Sequence, residues 1–179
     1  MHPKFNRRFT QLEHVFAAYE AEIKNLSDEL ANQPPPNGGW SIAQVIFHIA
    51  SAEKGIIQYL QKKLQNPTES KPAGLKSYYR ATLLRYALRS KRKFRAPKAL
   101  EQPQGTYSLS DLMNQWQLSR TELKNIFTSV NAADVNRQLF KHPVVGKISL
   151  KQTLGFMTDH AQRHLEQIKN IKAQLTLQT

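Results

Sequence analysis

Apolar residues recur at steps of three and four in four long segments, and no segment shows convincing strand alternation. That pattern limits the chain to a helical architecture. Phe5, Phe9, Leu12, Phe16, Tyr19, Ile23, Leu26 and Leu30 trace one face of a helix from about residue 5 to residue 31. Gln33-Pro34-Pro35-Pro36-Asn37-Gly38-Gly39 cannot continue it and reads as a stiff connector. A second helix opens at Ser41-Ile42-Ala43-Gln44, which has the form of a capping box. It presents Val45, Ile49, Ala52, Ile56 and Leu60 and ends near Asn66-Pro67. A third starts near Ser108 or Ser110, with Asp111 well placed for the positive helix end, and carries Leu112, Trp116, Leu123, Ile126, Phe127 and Val130. The fourth starts near Ser149, with Leu150, Leu154, Met157, Ala161, Ile168, Ile171 and Leu175 on one side. Between the second and third lie a shorter, very basic helical piece, from about Leu75 to Ser90, and an ordered loop over residues 91–107. Four amphipathic helices bury their stripes most economically against one another. The expectation is an all-α chain, a four-helix bundle forming a single domain over residues 1–179.

Composition narrows the chemistry. In 179 residues there is no cysteine, which excludes disulfides, thiolate metal sites, iron–sulfur clusters and a cysteine nucleophile. The 26 Lys and Arg against 13 Asp and Glu give a formal charge of +13, which favours anionic partners without naming one. No stretch approaches the ~18 consecutive apolar residues of a spanning helix. The opening residues show no signal-peptide core, so the expected location is cytoplasmic, with no membrane partner.

The six histidines differ in kind. His2 lies at the start, His14 falls about 200° round the helix from Leu12 and should face solvent, and His142 sits in a Pro/Gly loop. His160 and His164 stand at i and i+4, one above the other on the face marked by Met157, Ala161 and Ile168. His48 lies on the apolar side of the second helix. One inward histidine is ordinarily a hydrogen-bonded core residue. Three together need acceptors for their N–H groups, and protonating them in an apolar core is costly. A metal satisfies all three, provided the second and fourth helices are neighbours. Three protein nitrogens with an open fourth position would make a reactive site rather than a closed structural one.

At these residues the sequence resembles the DinB-like family of bacterial four-helix proteins. The match runs from Gly39-Trp40-Ser41 through His48 to Glu53, resumes at His142-Pro143-Val144-Val145-Gly146-Lys147-Ile148-Ser149-Leu150, and closes with His160-Ala161-Gln162-Arg163-His164-Leu165-Glu166-Gln167-Ile168. The resemblance implies a bundle with a long crossover, frequent homodimerisation, and a divalent ion such as zinc or nickel on His48, His160 and His164. It also implies a transferase or isomerase that uses a low-molecular-weight thiol, whose thiolate, formed at the metal, would attack an electrophilic substrate. Hydrolysis by metal-activated water fits the same ligands. Gln167 and Trp40 match the family pattern too, Trp40 as a packing anchor. Glu53, about 140° round the helix from His48, is a candidate base or a carboxylate supporting a ligand, or else pairs elsewhere in the bundle.

A basic segment competes for attention. Arg85, Arg89, Lys91, Arg92, Lys93, Arg95 and Lys98 crowd together, with Tyr78, Tyr79, Tyr86 and Phe94 interleaved or just upstream. Arg89, Arg92 and Arg95 are candidate anion contacts, although a charge run is more commonly a solvated surface. No recognition-helix, finger or RNA-stacking signature accompanies them, so sequence-specific nucleic-acid reading is not expected. Two functions of different class follow: a metal-dependent thiol S-transferase or hydrolase, and a non-catalytic protein binding an anionic partner through its basic surface.

Overall fold

The computed structural model describes residues 1–90 and 103–176. Six α-helices, one turn of 3-10 helix (Pro67–Glu69) and one short hairpin account for the regular structure of these residues: α1 (Pro3–Ile23), α2 (Asp28–Asn32), α3 (Ile42–Leu64), α4 (Leu75–Arg89), α5 (Leu109–Ser129), β1 (Phe140–His142), β2 (Gly146–Ile148) and α6 (Leu150–Thr176). The architecture is a four-helix bundle built from α1, α3, α5 and α6. Helix α6 lies against both α1 and α3, and α5 against both α3 and α1, which closes the ring, while α4 packs outside on α6.

The helix starts have local causes. Ser41 accepts from the backbone N–H of Gln44, and the Gln44 side chain accepts from the backbone N–H of Ser41, the reciprocal cap read from the sequence. Ser108 caps α5 by accepting from Asp111 N–H. Ser149 and Gln152 repeat the reciprocal pattern ahead of α6.

Two expectations are corrected. The first helix does not run to residue 31. It ends at Ile23, and Ser27 caps a separate short helix by accepting from Leu30 N–H, with Asp28 and Glu29 in its first turn. The absence of strands also fails locally. Phe140 pairs with Ile148 and His142 with Gly146 in an antiparallel hairpin, whose turn uses Gly146 at φ +79°, a conformation glycine adopts without steric cost. Residues 91–102 of the expected ordered loop lie outside the described residues.

The core runs the length of the bundle. Phe5 meets Phe127 edge-on, and Trp116 receives the rings of Phe16 and Tyr19 edge-on. The Tyr19 hydroxyl donates to the backbone oxygen of Ala161 at 2.8 Å, which ties α1 to α6 beside the histidine pair. No helix among the described residues is long and apolar enough to cross a membrane.

Candidate metal centre

Helices α3 and α6 are neighbours, and their contact brings three histidines together. Ring centroids are 5.5 Å apart for His48 and His160, 5.1 Å for His48 and His164, and 4.8 Å for His160 and His164. One ligand nitrogen from each lies within 4.8 Å of the other two. His48 is buried, whereas His160 and His164 are half-buried, so the cluster stands in the wall of the bundle rather than at its centre.

The surroundings fix the rings. The Gln167 side-chain oxygen and His164 Nδ1 are 2.8 Å apart, so Nδ1 carries the proton and the Nε2 lone pair is left for a ligand. Trp40 packs its ring 5.0 Å from that of His48, and Phe156 stacks on His160 at 5.3 Å and 24°. Loss of hydration on burial lowers the pKa of His48 and takes His164 to about 4. His160 is pushed well below its ordinary value by burial and by the neighbouring histidines. All three imidazoles are therefore neutral at pH 7, the state in which nitrogen binds a metal.

The donor chemistry fits a divalent ion. Three neutral imidazoles without a thiolate suit zinc, nickel, copper or iron rather than calcium or magnesium.

A fourth histidine belongs to these surroundings. His142, read from sequence as an unremarkable loop residue, is buried, and its ring meets Phe156 edge-on at 4.6 Å, on the residue that stacks on His160. Its Nδ1 accepts from the backbone N–H groups of Val144 and Val145 at 3.2 and 3.3 Å, which leaves the proton on Nε2. Burial lowers its pKa to about 4. The only local signal was the His142-Pro143…Gly146 spacing of the turn. Its proximity to α6 is a tertiary fact. His14 is exposed, as its helical phase required.

Glu53 is placed elsewhere. Its carboxylate accepts from Arg120 of α5 at 3.2 and 3.4 Å, and both side chains are almost fully buried. Arg120 also donates to Glu13, and its guanidinium lies 5.5 Å from the ring centre of Phe9 and 5.8 Å from that of Phe16. Of the two roles left open by the sequence, the geometry gives Glu53 the ion pair across the bundle. Arg89, a candidate anion contact, is bound to Asp159 on α6. Arg92 and Arg95 lie outside the described residues.

The DinB superfamily model matches residues 11–168, most of the chain and all of the histidine cluster. The chain belongs to the DinB superfamily. The protein YuaE of Bacillus subtilis (strain 168) is 32% identical over 158 residues, 86% of this chain and 90% of YuaE. A protein of Geobacillus thermodenitrificans (strain NG80-2), whose name proposes a metal-dependent hydrolase, is 41% identical over 56 residues, 31% of this chain and 30% of its own. Among solved structures, YfiT from Bacillus subtilis superposes with a TM-score of 0.60 at 18% identity, over 98% of this chain and 90% of YfiT. It is described as a probable metal-dependent hydrolase with an unusual four-helix bundle topology. At that identity the likeness speaks for the fold.

Proposed function

We propose that this DinB-superfamily chain is a divalent-metal enzyme in which His48, His160 and His164 hold the ion and an open position activates a small nucleophile. Water is the first candidate, giving a hydrolase. The thiol of a low-molecular-weight cosubstrate is the second, giving an S-transferase. The carrying observation is the meeting of three ligand nitrogens within 4.8 Å in a half-open wall of the bundle. A relative whose name proposes a metal-dependent hydrolase supports the first reading. A chain without cysteine is compatible with the second, because the sulfur would arrive with the cosubstrate.

A divalent ion held there supplies Lewis acidity, which makes a coordinated nucleophile easier to deprotonate at neutral pH. The chain's own residues prepare the ground. Gln167 holds His164 in one tautomer, and Trp40 and Phe156 wedge His48 and His160 in place. The apolar rings of Trp40 and Phe156 also exclude bulk water from one side of the cluster and so strengthen the electrostatics within it. Glu53, occupied by Arg120, is not assigned as a base.

The test is turnover by metal-loaded protein beside His164→Ala. Hydrolysis of activated esters and amides, and conjugation of thiols to an electrophilic arene, are followed with and without added zinc, nickel or manganese. Metal-dependent acceleration in one series, lost in His164→Ala, is expected and also separates the two nucleophiles. Equal rates in wild type and variant for every substrate would refute a catalytic role for the cluster.

A further inference from the structure

A second cluster lies on α6 beside the histidines but on another face. Asp159, the residue before His160, is almost fully buried and collects arginines from a neighbouring helix. Arg89 donates to its Oδ1 through Nε at 3.0 Å and Nη2 at 2.8 Å, and Arg85 Nε stands 3.7 Å from Oδ2. Both carboxylate oxygens are thus engaged from α4. A third guanidinium, Arg8 of α1, approaches the same stretch of α6. Its Cζ lies 3.7 Å from the position that a Cβ on residue 155 would take, over the bare backbone of Gly155. Gly155 stands four residues before Asp159, on the same helical face. A Cβ added at residue 155 would meet Arg8 at ordinary van der Waals distance, so the guanidinium lies along this turn of α6.

Arg8 is half-buried, and among the described residues no hydrogen bond or ion pair engages its guanidinium. Burial lowers its proton affinity, and the charge of Arg85 lowers it further, against the attraction of Asp159. Three guanidinium charges therefore face one carboxylate, an excess of two positive charges. Arg85 and Arg89 remain about half exposed, so a ligand from solvent can reach the cluster. The surrounding sequence adds long-range attraction, because no acidic residue occurs between Glu69 and Glu101.

We propose that Arg8, Arg85 and Arg89, converging over Asp159 where α1 and α4 flank α6, form a binding site for the phosphate group of a small phosphorylated ligand. The chemistry selects this class. A phosphomonoester carries nearly two negative charges at neutral pH, matching the excess, and offers three acceptor oxygens to planar guanidinium forks. Arg8, half-buried and not engaged by any hydrogen bond or ion pair among the described residues, gains most from such an anion. The half-buried placement of Arg8 between two helices suits a terminal phosphate better than a continuous polyanion, which would favour a fully exposed stripe. The site is independent of the histidine cluster and does not rest on the function proposed for it.

Binding of inorganic phosphate and phenyl phosphate to the full chain is measured by titration calorimetry at pH 7.5 and constant ionic strength, with acetate as the singly charged control. Saturable binding of both phosphates at one equivalent, with acetate much weaker, is expected. Arg8→Gln and Arg85→Gln should each weaken it at least ten-fold, whereas Lys124→Gln on α5 should leave it unchanged. His48→Ala should also bind phosphate as wild type does. Loss of binding in that variant would assign the anion to a metal on the histidines and overturn the proposal. Undiminished binding in both arginine variants, or no binding by wild type, would do the same. A DNA duplex or anionic vesicle bound tightly with no loss in Arg8→Gln, where the small phosphates do not bind, would assign the positive charge to a polyanion instead.

Discussion

Glu53 is close enough to His48 in sequence to be taken for part of the metal chemistry, and the structure makes the opposite prediction testable. Glu53→Gln removes a buried carboxylate from Arg120, which is 2% exposed and, among the described residues, keeps Glu13 as its ionic partner. Breaking a buried pair from one side typically costs about 3–5 kcal/mol, because the remaining charge stays desolvated. Retention of Glu13 places Glu53→Gln near the lower end, about 3 kcal/mol. For a chain of this size, that corresponds to a fall in Tm of roughly 6–12 °C. Arg120→Met should cost a similar amount, limited because burial already raises the Glu53 pKa and the stranded carboxyl can take up a proton. The double variant Glu53→Met with Arg120→Met strands neither charge inside the bundle and should be more stable than either single one. The assay is urea unfolding followed by circular dichroism for all four proteins, with bound metal measured on each. Glu53→Gln should lose stability and keep its metal. A variant as stable as wild type to within about 1 kcal/mol, yet deprived of metal or turnover, would refute the structural role.

Other predictions rest on single contacts. His142 has a folded pKa of about 4, below its ordinary 6.5, so the unfolded chain binds its proton first as the pH falls. Its contribution to stability is complete above about pH 6.5 and is lost progressively toward pH 4. His142→Asn, whose side-chain oxygen can accept the Val144 and Val145 N–H groups, should remove up to about 3 kcal/mol of acid sensitivity across that window. Identical acid-unfolding profiles for variant and wild type would contradict this. Tyr19→Phe deletes the buried bond to Ala161 and leaves that carbonyl one partner short, so thermal unfolding should show a loss of about 1 kcal/mol. No change in Tm would remove that bond from the account.

Local chemistry decided how much could be read in advance. The start of α3 was legible because Ser41 and Gln44 cap each other across three residues, and the inward phase of His48, His160 and His164 followed from the apolar residues beside them. The break after Ile23 was hidden because Leu26 and Leu30 keep the helical phase, so the apolar period outweighed the capping signal of Ser27, Asp28 and Glu29. A similar limit applied to the hairpin. Three-residue strands are too short to show alternation, and the burial of His142 depends on Phe156, which is fourteen positions along the chain. The partners of Glu53 and Asp159 were beyond reach for a plainer reason. Arg120 is 67 positions from Glu53 and Arg89 is 70 from Asp159, and neither spacing carries a local signature.

The central claim is that three histidines from α3 and α6 hold one divalent ion. Plasma mass spectrometry on tag-free protein, with His48→Ala prepared in parallel, tests it most directly. Wild type should carry about one equivalent of a divalent transition metal and the variant should lose it, with helical content retained because the bundle core does not depend on one ligand. Wild-type protein that takes up no metal after incubation with zinc, nickel or manganese would contradict the claim and return the cluster to core histidines.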